Sequence, residues 1–249
     1  YAFEFLASRA GEIVTTLIYH KKIDDEFVGV AKNLNLNLIL RSKNQKIVIG
    51  KDFIDEEFMG FKYALHEGSF IQPNPHINEM MLKWVSGQVI DFGGDLLELY
   101  CGHGNFTIPL SRYFDKILAT EISTQSIKYA KENMELNGVH NIYFARLSGK
   151  ESIEALNKKR SFFRLKDIDL DSFKLSTIFV DPPRAGLDND ICQYIKSVEH
   201  IIYISCNQES LIRDLEILAQ SHDITHFALF DQFPYTKHIE SGVILKKRQ

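Results

Sequence analysis

Leu96-Leu97-Glu98-Leu99-Tyr100-Cys101-Gly102-His103-Gly104-Asn105-Phe106 opens as an apolar strand, turns at two glycines and runs into a helical segment. At such glycines the backbone bends sharply and approaches a ligand where a Cβ would collide. The next strand closes on Glu121, at about the 20-residue offset from which an acidic side chain meets a ribose diol in dinucleotide folds. Two cofactor classes share this logic. A nicotinamide dinucleotide calls for a third glycine, but position 107 is Thr107, and no dinucleotide-type second half follows. Strand, turn, helix and Glu121 together point to S-adenosylmethionine. Singly, each has a plainer reading: glycines that only permit a tight turn, and a glutamate at a solvated strand end.

Outward from this motif, short apolar runs alternate with helical segments. Strands are expected at Leu96–Tyr100, Lys116–Thr120, Ile142–Ala145, Thr177–Val180, His200–Ser205, Ile224–Leu229 and Val243–Leu245. Helices are clearest at Ser123–Asn137 and Gln208–Ser221. Seven strands in this rhythm predict a doubly wound α/β sheet with ligands at the carboxyl ends of its strands. Upstream, Gln72-Pro73-Asn74-Pro75 marks a change of texture before a helical stretch from His76 to Val89. Residues 1–72 read as a small α+β unit and 73–249 as the catalytic domain. In the small unit, strands are expected at Ile13–Tyr19, Leu36–Leu40, Lys46–Ile49 and Phe61–His66. Asp24-Asp25 should cap a helix reaching about Leu34.

A chain of 249 residues can bury a substantial core, and its 45% apolar and 25% charged content is that of an ordinary globular protein. No run approaches the ~18 apolar residues of a membrane helix, and the first ten residues do not make a signal peptide. Three cysteines, at 101, 192 and 206, offer neither a disulfide framework nor paired metal-ligand spacing, so no metal is expected. A reducing, cytoplasmic setting follows. The net charge of −4 leaves nucleic-acid contact to local patches. The chain starts on Tyr1 and enters a strand-like pattern at once, which suggests that a further N-terminal segment precedes it.

Three segments carry candidate reacting groups. Asp181-Pro182-Pro183-Arg184 ends a strand, and its prolines hold the chain extended; an ordinary Asp-Pro turn is the plainer account. Cys206 lies between Ser205 and Asn207 at a strand end just before a helix, where the positive end of the helix dipole favours thiolate. Cys192 reads as a helix-face residue and Cys101 as packing beneath the glycine turn. The aromatic loop Phe230–Glu240 ends in a carboxylate that is either a surface group or a general base at the same crevice. A fourth segment is basic: Lys158, Lys159, Arg160, Arg164 and Lys166 surround Phe162 and Phe163. Phosphate contact with base stacking and a solvated insertion loop are equally good accounts of it.

Gln72-Pro73-Asn74, Leu96–Phe106, Asp181-Pro182-Pro183-Arg184, Ser205-Cys206-Asn207 and Phe230–Glu240 together resemble the RNA uracil-5 methyltransferases, and among them the type acting on the T-loop of tRNA. The likeness runs from about Ile13 to Lys246. It implies a Rossmann-like, class I S-adenosylmethionine-dependent methyltransferase fold, with tRNA as partner and a monomeric protein. It also implies Cys206 as nucleophile, Glu240 as proton acceptor, and Gln72, Tyr100, Asn105, Glu121 and Asp181 as cofactor-binding residues. Arg184, Lys158, Lys159 and Arg160 are expected on the RNA. Two positions depart from the pattern: Gln208 stands where a proline is usual, and Ser241 where a cysteine is frequent. Ribosomal-RNA relatives, the alternative substrate class, often carry an iron–sulfur cluster on four cysteines. A methyltransferase of exocyclic amines would not need Cys206, and a silent RNA-binding module would not turn over.

Overall fold

In the computed structural model, which describes residues 1–248, the chain separates into two units, Tyr1–Ile71 and Gln72–Gln249. The first comprises β1 (Ala2–Ala7), β2 (Ile13–Ile18), α1 (Asp25–Lys32), β3 (Asn37–Ser42), β4 (Gln45–Ile49), β5 (Phe53–Phe58) and β6 (Phe61–His66). Strands β1 to β4 form one sheet in chain order, and β5 pairs with β6 as a hairpin. Parallel β2 and β3 need a crossover, which α1 supplies. Asp24 caps that helix, accepting the Phe27 N–H at 2.9 Å. Ile23, Ala31, Leu38 and Leu40 form the core. Strand β5 is absent from the strands expected above for a physical reason. Its inward positions are Ile54, Glu56 and Phe58, and the charged Glu56 breaks the apolar alternation. Glu56 tolerates burial because Arg9 gives it a backbone N–H at 2.9 Å and Nε at 3.1 Å.

The second unit opens with α2 (Pro75–Gln88), where Asn74 caps the helix and Pro75 sits in its first turn. There follow β7 (Asp95–Leu99), α3 (Thr107–Leu110), β8 (Ile117–Thr120), α4 (Thr124–Leu136), β9 (Ile142–Ala145), α5 (Gly149–Leu156), β10 (Leu175–Val180), α6 (Asn189–Ile195), β11 (His200–Ser205), α7 (Gln208–Leu218), β12 (His222–Phe230) and β13 (Glu240–Lys247). The seven strands lie in the order β12-β13-β11-β10-β7-β8-β9. From β9 to β11 neighbours are parallel, whereas β13 runs antiparallel to both β11 and β12. The doubly wound sheet is therefore as expected, with a mixed edge. Strand order reverses between β7 and β10, which opens a crevice above their carboxyl ends.

Boundaries shift where pairing outruns apolarity. Strands β12 and β13 both extend beyond their apolar centres, so Glu240 itself begins β13. Tyr100 falls outside β7 because its backbone turns left-handed, at φ 64°. In β13, Gly242 lies beneath Trp84 of α2, and a Cβ there would come within 2.5 Å of the indole ring. Among the described residues no helix is long and apolar enough to cross a membrane.

Candidate active site

Register brings the separate motifs to one edge. Leu99 is opposite Val180, Val180 opposite Tyr203, and Ser205 opposite Ser241. Tyr100 and Asp181 directly follow the last residues of β7 and β10, and Cys206 directly follows the last residue of β11. Glu240 precedes Ser241 on an antiparallel strand, so it lands beside Cys206. Segments far apart in the chain meet here because each crossover of the sheet returns the backbone to the same carboxyl edge.

The cofactor side of this edge is braced by hydrogen bonds. The turn after β7 uses left-handed backbone at Gly102 and Gly104, with φ 56° and 87°. A Cβ at Gly102 would meet nothing within 4 Å, so the backbone there borders open space. Glu121 accepts the Gly102 N–H at 3.3 Å on Oε2 and the Ser123 N–H at 2.7 Å on Oε1, which fixes its carboxylate plane. Asn105 and Asn78 of α2 exchange amide bonds at 2.8 and 2.9 Å. Gln232 donates to Gln72 Oε1 at 2.8 Å, leaving the Gln72 Nε2 as the donor. Tyr100 lies against the backbone of Gly149, where a Cβ would come within 2.6 Å of its hydroxyl. Burial pushes that phenol up to about 12.

Beneath the turn, Glu98 is 1% exposed and its Oε2 has no hydrogen-bond partner. Burial, then the nearby Asp181 carboxyl, pushes Glu98 up to about 8. An orphaned buried acceptor, an open glycine turn and an oriented carboxylate fit a nucleoside that also carries positive charge, as S-adenosylmethionine does.

The reacting side is electrostatically tense. Cys206 is half-buried, and its thiol is pushed up by burial first and by Glu240 and Asp181 next, with Arg184 opposing. The helix dipole alone predicts the reverse direction; burial and two facing carboxyls outweigh it. Glu240 is 4% exposed and pushed up to about 7 by burial, against the pull of Arg184. Asp181 is pushed up to about 8 by burial and by Glu240. Exposed Arg184 is the counter-charge, and its backbone carbonyl accepts the Asn207 Nδ2 at 2.9 Å. Asn207 N–H meets Ser205 Oγ at 3.2 Å, so the residues on both sides of Cys206 are tied.

Asp214 on α7, absent from the sequence-based assignments, secures the loop after Arg184. Its fully buried carboxylate accepts the Tyr203 hydroxyl at 2.7 Å and the Leu187 N–H at 2.8 Å. Arg213 adds a guanidinium to Asp214 and reaches the carbonyls of Ala185 and Leu187 at 2.9 and 3.1 Å. The readable signal is an aspartate in register with Leu211 and Leu218 on the buried helix face. Asn78, also absent from those assignments, carries a similar signal among the buried residues of α2.

The structure does not group Lys158, Lys159 and Arg160 with the reacting residues. They are exposed on the α5–β10 connection. Lys158 pairs with Asp171 at 2.7 Å, and the Arg160 guanidinium lies 4.8 Å from the Phe162 ring. Arg164 is held by Glu151 at 2.7 Å. Phe163 is 82% exposed, with Lys166 over its ring.

The chain matches the family described as tRNA (Uracil-5-)-methyltransferase over residues 1–248. It is 49% identical to the tRNA/tmRNA (uracil-C(5))-methyltransferase of a Nitratiruptor species, covering 99% of this chain and 71% of that protein. The corresponding protein of Saccharophagus degradans is 51% identical over 98% of this chain and 69% of its own length. Among solved structures, the Pyrococcus abyssi tRNA (uracil-54, C5)-methyltransferase in complex with S-adenosyl-L-homocysteine superposes with a TM-score of 0.76 at 23% identity, covering 98% of this chain and 59% of that one. At that identity the likeness bears on the fold.

Proposed function

The chain belongs to the tRNA (uracil-5-)-methyltransferase family, whose reaction carries a methyl group from S-adenosylmethionine to C5 of a uridine, and from that premise we propose that Cys206 is the nucleophile and Glu240 the proton acceptor. One observation carries the assignment: the register of β11 against β13 sets a thiol beside a buried carboxyl at the edge that holds the cofactor turn. Gln72, Tyr100, Asn105, Glu121 and Asp181 are assigned to the cofactor, and Arg184 to the uracil edge.

Carbon 5 of uracil is too weak a nucleophile for direct methylation. The Cys206 thiolate bonds to C6, opens the C5–C6 double bond and loads electron density onto C5. When bound, S-adenosylmethionine supplies the methyl group to that carbon and departs as S-adenosylhomocysteine. Glu240 then takes the C5 proton. The electron pair of that C–H bond restores the double bond and expels the Cys206 sulfur as thiolate. Arg184, facing both Cys206 and Glu240, holds positive charge where the adduct is negative. The target base must leave its stack, at a cost of a few kcal/mol that is smaller in a loop than in a duplex.

RNA outside the crevice is assigned to the small unit. Phe3 and Phe5 of β1 stack at 6.4 Å between centroids and are 54% and 71% exposed, a surface suited to unpaired bases. The test of the chemistry is direct. With tRNA containing 5-fluorouridine and S-adenosylmethionine, the protein should form a covalent complex that survives denaturing electrophoresis, because fluorine at C5 cannot leave as a proton. Cys206→Ala should form none and lose turnover. Normal turnover by that variant sinks the mechanism.

A further inference from the structure

We propose that Gln208 is a positioning residue that holds Glu240 against the nucleophile's helix. The inference rests on the roles proposed above for Cys206 and Glu240.

Gln208 is the first residue of α7, two positions after Cys206. Side chains of a helix lean toward its N-terminus, so the Gln208 amide extends back over the turn that carries Cys206. Its Nε2 donates to the Ile239 carbonyl at 2.6 Å and lies 3.4 Å from the Ser241 Oγ. A carbonyl only accepts, so the NH₂ end of the amide must face it and the orientation is fixed by chemistry. These two partners flank Glu240 on either side.

The contact falls where the strand is weakest. Strand β13 begins at Glu240, whose ladder partner across β12 is Phe230, the last residue of that strand. Ile239 lies outside the ladder, at the end of a connection whose Pro234 to Lys237 are exposed. Ser241, by contrast, is fully buried. Gln208 thus fastens the first peptide of β13 at the point where the support of the ladder ends. Positions 208 and 241 are also the two departures from the sequence pattern noted above, and here they meet each other. The bond spans the two catalytic groups: one end grows from the Cys206 turn, the other brackets Glu240.

This placement predicts a selective defect. Addition of Cys206 to C6 and methyl transfer do not use Glu240, whereas removal of the C5 proton does. Gln208→Met keeps the side-chain length and deletes the donor; Gln208→Glu sets an acceptor against the Ile239 carbonyl. In both variants turnover on tRNA should fall about 10- to 100-fold, since a displacement of ~1 Å costs on the order of 100-fold in rate. In the uncharged variant, Gln208→Met, the rate of trapping by 5-fluorouridine tRNA should stay at the wild-type value. With tRNA transcribed from 5-deuterated uridine, the primary isotope effect on turnover should rise, because proton removal becomes the slow step.

Equal slowing of trapping and turnover in Gln208→Met overturns the proposal, since Gln208 would then act on folding or on the nucleophile. So does an unchanged isotope effect in Gln208→Met. Failure of the wild-type protein to trap at all brings down the covalent reading and this inference with it, and is distinguished by needing no variant.

Discussion

The two sides of the crevice solve opposite problems. On the cofactor side, Glu121, Asn105 and Gln72 have their hydrogen bonds arranged in advance by Ser123, Asn78 and Gln232. On the reacting side, Asp181 and Glu240 crowd toward Cys206, with the Arg184 guanidinium opposing them. Preorganised hydrogen bonds hold a ligand's shape without reorganisation. Crowded, desolvated carboxyls instead store a demand for positive charge. Neighbouring strand ends thus hold two different physical states, and Asp181, assigned to the cofactor yet coupled to Glu240, stands where they meet.

The largest effect that separates the two sides is expected at Glu240. Glu240→Gln should lower turnover by about 10²- to 10⁴-fold, the contribution of a general base, and leave cofactor affinity near wild type by calorimetry. A parallel loss of affinity would merge the two sides into one.

Next comes pH. Below about 8 the raised carboxyls Glu98 and Asp181 are protonated and neutral, and above it they are charged. Affinity for the sulfonium donor should therefore rise about tenfold between pH 6 and 9, more than affinity for S-adenosylhomocysteine, which lacks the sulfonium charge. Stability of the ligand-free protein should move the other way. The folded chain keeps these protons while the unfolded chain releases them near pH 4, so stability falls as pH rises through the folded-state values. Thermal melts from pH 5 to 9 check the sign, and Glu98→Gln should flatten the decline.

A smaller effect tests the braced side. Asn78→Ala removes the partner of Asn105 and should weaken cofactor binding five- to tenfold, about 1 to 1.4 kcal/mol, with the maximal rate preserved. Reduced maximal rate at saturating cofactor would show that the brace reaches the reacting groups. Least affected is the basic connection. Replacing Lys159, Arg160 and Lys166 by glutamine should make the logarithmic salt slope of tRNA binding shallower by about 0.7 to 0.9 per residue if these charges meet phosphate. No change at all assigns them to a solvated loop.

What can be read from the sequence is what is local. Gly102, Gly104 and Glu121 announce a cofactor turn because their spacing along one βαβ passage is itself the geometry. Asp181 and Cys206 are visible as strand-end residues for the same reason. Partners far apart in the chain are not: Gln72 with Gln232, or Tyr203 and Leu187 with Asp214, meet only after the sheet has formed. The direction of the shift at Cys206 is hidden too, because helix position is written in sequence, whereas its burial and the two facing carboxyls are not. Glu56 conceals β5 in the same way, since an inward charge is acceptable only when a distant Arg9 answers it.

The contact between Trp84 and Gly242 gives the protein a built-in optical reporter. Trp84 is the single tryptophan of the sequence, and its indole rests on the strand two residues beyond Glu240. Withdrawal of that strand would expose the ring to water and shift its emission to the red. Displacement of the strand that carries Glu240 can therefore be followed by stopped-flow fluorescence in unlabelled protein.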